Sequence, residues 1–112
     1  MNEPVIDPVV FNEMRELMDD ALGAFIETYL DNSPKLLANI SQSLPENDLE
    51  TVFHNAHQLK GGSGSIGAMQ VFQLAKEMEE KARDSVSEGL ESIFVELQSA
   101  YSLVEKELKT HL

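Results

Sequence analysis

Cysteine and tryptophan are both absent from this chain of 112 residues. The first absence removes disulfides, thiolate metal sites and cysteine nucleophiles together, and it is compatible with a reducing compartment. No apolar run approaches the roughly 18 residues needed to cross a bilayer. The opening stretch MNEPVIDP lacks the basic head and apolar middle of a secretion signal. A soluble, cytoplasmic protein that does not engage a membrane is therefore expected. Positive charge is scarce: 8 Lys and Arg stand against 20 Asp and Glu, a net charge of −12. The few basic residues form no stripe, and such a chain would repel nucleic-acid phosphates. Charge of this size favours a soluble monomer. Aromatics make up only 6% of the residues, so the core must be aliphatic with help from Met and Phe. The length suits one domain with one core.

What is present is helical periodicity. Val, Ile and Thr nowhere alternate with polar residues for long, whereas apolar residues recur at a spacing near 3.6. The prediction is an all-α fold, an antiparallel up-down four-helix bundle with an additional short N-terminal helix. The short helix runs over about 8–19, started by Asp7-Pro8 as cap and first-turn proline, with Val10, Met14 and Leu17 facing inward. A long helix follows over 20–44, which Pro34 should kink or split. The third, over 48–66, is capped by Asn47 or Asp48. The fourth covers 68–84, with Val71, Ala75, Met78 and Ala82 on one face. Ser85 and Glu88 have capping-box spacing ahead of the last helix, over 87–110.

The informative stretch is HNAHQLKGGSGSIG, residues 54–67, which starts as an amphipathic helix and then places four of the chain's six glycines in seven positions. Each interior glycine costs a helix about 0.5–1 kcal/mol relative to alanine. On a wheel of about 100° per residue, Leu49, Val52, Ala56, Leu59, Ser63 and Ile66 form the core face. His57 lies about 140° from Val52, with Gly61 and Gly64 at about 180° and 120° on its own stripe. Lys60 is its surface neighbour three residues on. An exposed imidazole with bare backbone beyond it and an ammonium beside it suits a ring that must meet another protein and an anion. Ser63, on the buried face, is expected to bond back to its own helix.

Other readings of these residues are weaker. GSGSIG matches G-x-G-x-x-G in letters, but a helix precedes it where a dinucleotide fold requires a strand. In KGGSG the lysine comes before the glycines, the reverse of a phosphate-binding loop. Glu50, His54 and His57 share a stripe that could touch a metal, but the spacing matches no zinc-protease helix and a third strong ligand is lacking; no metal is expected. His54 reads as a solvated or supporting residue, and His111 as surface. The run KEMEEK over 76–81 reads as a solvated face with helical ion pairing.

At Ala56-His57-Gln58-Leu59-Lys60-Gly61, followed by Ser63, Ile66, Gly67 and Ala68, the sequence resembles the histidine-containing phosphotransfer (HPt) domains of multistep phosphorelays. Leu74-Ala75, Met78-Glu79 and Ala82-Arg83 resemble the family's next helix, and residues 25–34 its second, proline included. The likeness extends over roughly residues 7–110, and two glycines, Gly62 and Gly64, are additional to the family's usual one. The resemblance implies that His57 takes a phosphoryl group from a receiver-domain aspartate, through its outer nitrogen Nε2, and passes it to another such aspartate. Lys60 would neutralise phosphate charge, and Gly61 would give clearance to the docking receiver, with Gly64, Gln58 and His54 completing the docking surface. The implied partners are receivers of a hybrid sensor kinase and of a response regulator. The chain needs no cofactor, because Mg²⁺ belongs to the receiver. It carries no ATP-binding segments of a histidine kinase, so it is a phosphocarrier without kinase activity of its own rather than a conventional enzyme. Starting at methionine and filled by one bundle, it is expected to be free-standing. The alternative is a helical adaptor that binds protein without chemistry.

Overall fold

The computed structural model describes residues 4–112 and is all-helical, with extents of 41 × 31 × 21 Å. Helix α1 spans Pro8–Met18 and a 3₁₀ turn Asp19–Ala21 leads into α2, Leu22–Ser43; α3 covers Leu49–Ile66, α4 Met69–Arg83 and α5 Leu90–Lys109. The last four form an antiparallel bundle, and α1 lies across one end of it.

The caps explain the boundaries. Asp7 Oδ1 accepts from the Val9 and Val10 amides at 2.9 and 3.4 Å, with Pro8 opening α1 where a missing N–H is harmless. Asp48 caps α3, accepting from the Thr51 amide at 3.2 Å and from the Thr51 hydroxyl at 2.7 Å. Gly67, at φ +87°, ends α3 in the left-handed conformation. A Cβ on Gly67 would also lie 3.0 Å from the Asp7 carbonyl. The N-terminal segment is tied down there, with the Asp7 amide donating to the Gly67 carbonyl at 2.8 Å.

Three details differ from the sequence expectation. Helix α2 runs unbroken through Pro34. Pro34 is exposed, so water can take the carbonyl that its missing N–H leaves free, while Ile26, Tyr29, Leu37 and Ile40 hold both halves against the core. In α1 the buried residue is Phe11, and Leu17 is 85% exposed. Anchoring at Asp7 and Gly67 turns the Phe11 side inward, and its ring meets His111 at 4.7 Å between centroids. Ser85 and Glu88 form no capping box. Ser85 and Gly89 both take positive φ in the loop, and α5 begins at Leu90.

The core is continuous from Ile26 and Ile40 through Val52, Ala56, Leu59 and Ile66 to Val71, Ala75 and Met78, and on to Leu97, Val104 and Leu108. The inward face read for α4 is all buried, as are Ile93, Leu97, Ala100, Val104 and Leu108 of α5. Among the described residues no helix is long and apolar enough to cross a membrane.

Candidate functional site

Helix α3 lies between α2 and α4, and its glycines show how it meets each. A Cβ on Gly62 would fall 3.2 Å from the Tyr29 ring of α2. A Cβ on Gly64 would fall 2.9 Å from Cδ1 of Phe72 of α4. Both positions let an aromatic ring lie on the α3 backbone. This corrects the expectation for Gly64, which is half-buried under Phe72 and offers no bare surface to a partner. It also explains why α3 stays regular to Ile66 despite its glycines. Gly61 is different: it is exposed, with nothing within 4 Å of an added Cβ.

Ser63 is buried as expected but bonds elsewhere. Its hydroxyl pairs with the Tyr29 hydroxyl at 2.7 Å, and it is Ser65 that bonds back, to the Gly61 carbonyl at 3.1 Å. Burial pushes the Tyr29 phenol up to about 12, so it stays neutral and holds α2 to α3.

On the α4 side stands His57, its side chain 60% exposed. Nδ1 faces Glu79 Oε2 at 2.7 Å. Glu79 is the functional residue that the sequence reading missed: assigned to a solvated face, its side chain is only 9% exposed. The ammonium of Lys60 lies 2.6 Å from the other oxygen, Oε1. Burial pushes the Glu79 carboxyl upward, but the contacts and charges of Lys60 and His57 outweigh it and hold the group below its ordinary value of 4.5. Glu79 is therefore a carboxylate at neutral pH, and a carboxylate can only accept. The imidazole proton then sits on Nδ1, and the Nε2 lone pair is left facing outward. A helical signal for Glu79 does exist, since it lies four residues after buried Ala75, at the edge of the inward stripe. A carboxylate there needs a partner.

Phe53 borders the imidazole on its N-terminal side, the two rings near parallel at 12° with centroids 6.1 Å apart. His54 meets the Phe53 edge at 5.2 Å and is not in the cluster around His57. Gln58 turns toward α2, lining a hollow with Phe25, Asn32 and Leu36. The fold thus brings together His57, Lys60, Glu79 and Phe53, with Gly61 open beyond them. Among the described residues no group of three or more His, Asp or Glu comes together to hold a metal ion.

An outward imidazole, ordered by a buried carboxylate and flanked by a cation on a helical bundle, has the parts that a phosphotransfer module requires. Comparison with known proteins agrees. The family model described as Hpt domain matches residues 24–108. The chain is 34% identical to histidine-containing phosphotransfer protein 4 of Arabidopsis thaliana over 105 residues, covering 88% of this chain and 83% of that protein. Histidine-containing phosphotransfer protein B of Pseudomonas aeruginosa superposes with a TM-score of 0.92 at 25% identity, over 98% of this chain and 96% of that one. The maize protein ZmHP2 shares the fold, with a TM-score of 0.83 at 18% identity over 95% and 81% of the two chains. The chain belongs to the histidine-containing phosphotransfer family. It is an intermediate of two-component phosphorelays and partners with receiver domains.

Proposed function

We propose that His57 is the phosphoryl carrier and that Nε2 is the atom that bonds phosphorus. The observation that carries this reading is the 2.7 Å contact between Nδ1 and the buried Glu79 carboxylate, beneath an imidazole that is otherwise open to solvent. With the proton on Nδ1, the Nε2 lone pair attacks the phosphorus of a receiver's aspartyl phosphate. The N–P bond forms as the acyl P–O bond breaks, and that electron pair returns to the aspartate as carboxylate. No proton need leave Nε2. The ring becomes cationic, and Glu79 stabilises that charge through the Nδ1 proton. Transfer onward to a second receiver is the reverse step. Such a reaction asks the protein mainly for alignment and charge stabilisation.

Lys60 has a double task. Paired with Glu79 at rest, it keeps the carboxylate ionised, and its partial exposure leaves it able to turn toward the phosphoryl oxygens. Gly61 leaves the backbone open one turn beyond the ring. Gln58 and His54 belong to the wider docking surface, on either side of the cluster. The donor and acceptor are receivers of a hybrid kinase and of a response regulator, each bringing its own Mg²⁺, and the chain works as a cytoplasmic monomer.

The test is incubation of the chain with a phosphorylated receiver. Label that appears on the chain, survives base and is lost in mild acid marks phosphohistidine, and it must vanish in His57→Gln. Label retained by that variant, or no transfer from any receiver, overturns the reading.

A further inference from the structure

The two contacts between α3 and α4 fix their register. His57 meets Glu79 and Gly64 meets Phe72, seven residues apart on each helix and running in opposite directions. Three residues above His57 on α3 is Lys60; three residues from Glu79 on α4, at the same level, is Lys76. Three residues are a rise of about 4.5 Å, and positions three and four apart share a face. Lys76 therefore stands on the rim of the α3–α4 groove between Phe72 and Glu79, opposite Lys60 and one turn above the imidazole. Its side chain is exposed. Among the described residues no carboxylate lies within 4.0 Å of its ammonium. The acidic groups around it are Glu79, already engaged by His57 and Lys60, and Glu80 on the next turn of α4, which is exposed.

The geometry points to Lys76 as a second phosphoryl-binding residue of this site, resting on the reading that His57 carries the group. Lys60 alone does not balance the charge. Lys60 and Glu79 cancel at rest; once the ring is cationic and offset by Glu79, Lys60 supplies one positive charge against a phosphoryl group with up to two negative charges. Lys76 is the adjacent cation with no charge to neutralise at rest. Its place across the groove puts an ammonium on the opposite side of the phosphoryl group from Lys60, so the equatorial oxygens are held from both helices while the in-line path to a docked receiver stays open. It also places a positive rim on the docking side of a chain with net charge −12.

The experiment phosphorylates the full chain with phosphoramidate, which needs no partner protein, and follows the phosphoryl group by ³¹P NMR as pH is varied. A cation beside the phosphohistidine disfavours its protonated form, at ring or phosphoryl group, and lowers the titration midpoint. Lys76→Gln is expected to raise it by about half a pH unit, the effect of one charge at roughly 5 Å in a water-like medium. Lys76→Glu should roughly double that shift, and Lys76→Arg should leave the midpoint near wild type. Lys81→Gln removes the same charge from the α5-facing side of α4, where the Lys81 side chain passes Gly89, and should move it by no more than about a tenth of a unit at 0.15 M salt. Equal shifts in Lys76→Gln and Lys81→Gln would reduce the effect to overall charge and overturn the proposal, as would no shift in Lys76→Glu. If wild type takes no phosphoryl group, or His57→Gln takes one equally, the reading of His57 itself fails. If His57 is phosphorylated and the midpoint ignores Lys76, only the second cation fails.

Discussion

Two glycines three positions apart in α3 should respond to alanine in opposite ways. Gly61→Ala adds a methyl group to open space in a regular helix, so it should collect the full propensity difference, about 0.8–1 kcal/mol of added stability. For a domain of this size that is roughly 4 °C in melting temperature. Gly64→Ala has the same propensity gain, but its Cβ would sit 2.9 Å from Cδ1 and 3.2 Å from Cε1 of Phe72. The ring must move off α3, and overpacking of this kind costs typically 1–3 kcal/mol. The net result should lie between neutral and about 2 kcal/mol destabilising. Thermal and urea melts of the unphosphorylated proteins measure both. Function should sort the other way. Gly61→Leu should remain folded yet slow transfer from a receiver, because a side chain then stands where the partner's backbone approaches. Gly64→Ala should transfer nearly normally once corrected for folded fraction. If Gly64→Ala proves as stable as Gly61→Ala, the assignment of Gly64 to helix packing is wrong. If Gly61→Leu transfers at the wild-type rate, the clearance argument is wrong.

Further outcomes follow from the cluster around Glu79. Glu79→Gln exchanges a charge-assisted hydrogen bond for a neutral one and lets the amide donate to Nδ1, so phosphotransfer should fall about tenfold; an unchanged rate would remove Glu79 from the chemistry. Because its carboxyl titrates below the ordinary 4.5, Glu79 contributes stability that is present above that value and lost as pH falls through the lowered one. Unfolding measured from pH 7 to 2.5 should therefore show a shallower acid limb in Glu79→Gln, and coincident limbs would contradict this. Lys60→Met should slow transfer and also cost about 1–2 kcal/mol, since it leaves a buried carboxylate without its cation. A denaturation midpoint equal to wild type would show that the ion pair does not stabilise the fold.

Much of this arrangement was legible in the chain because it depends on local rules. Asp7-Pro8, Asp48 and Gly67 mark helix ends through their own backbone chemistry, and the wheel placed His57 outside and Leu59 inside. What was hidden depends on what stands opposite. A wheel gives the direction of Gly64 but not the Phe72 ring that fills the space there. On α4 the charged run around Glu79 made it look solvated, and nothing local tells that α3 brings His57 and Lys60 to that edge of the helix. Leu17 and Phe11 compete for the inward side of a short helix, and the Asp7–Gly67 bond, which sequence does not show, decides between them. Ser85 and Glu88 have the spacing of a cap, but the left-handed Gly89 restarts the chain after them.

The glycine-rich end of α3 can be divided by its energetics. Gly62 and Gly64 each cost about 1 kcal/mol of helix propensity, but each admits an aromatic ring to close contact with the helix backbone. Burial of even half an aromatic side chain returns about as much. Those two positions are accounted for by the fold, through Tyr29 on one flank and Phe72 on the other. Gly67 is accounted for by its positive φ and the closeness of Asp7. Gly61 alone has neither a ring against it, nor a left-handed backbone, nor a neighbouring chain. Its cost has no structural return within the molecule. It lies one turn from the imidazole and next to Lys60, where the proposed docking of a receiver needs open backbone. The α2 flank of α3 is tied by the buried Tyr29–Ser63 bond, whereas the α4 flank presents His57 over an ordered carboxylate. On the proposed reading, a receiver that reaches Nε2 passes over Gly61 and the α3–α4 groove, with Gln58 at its α2 edge.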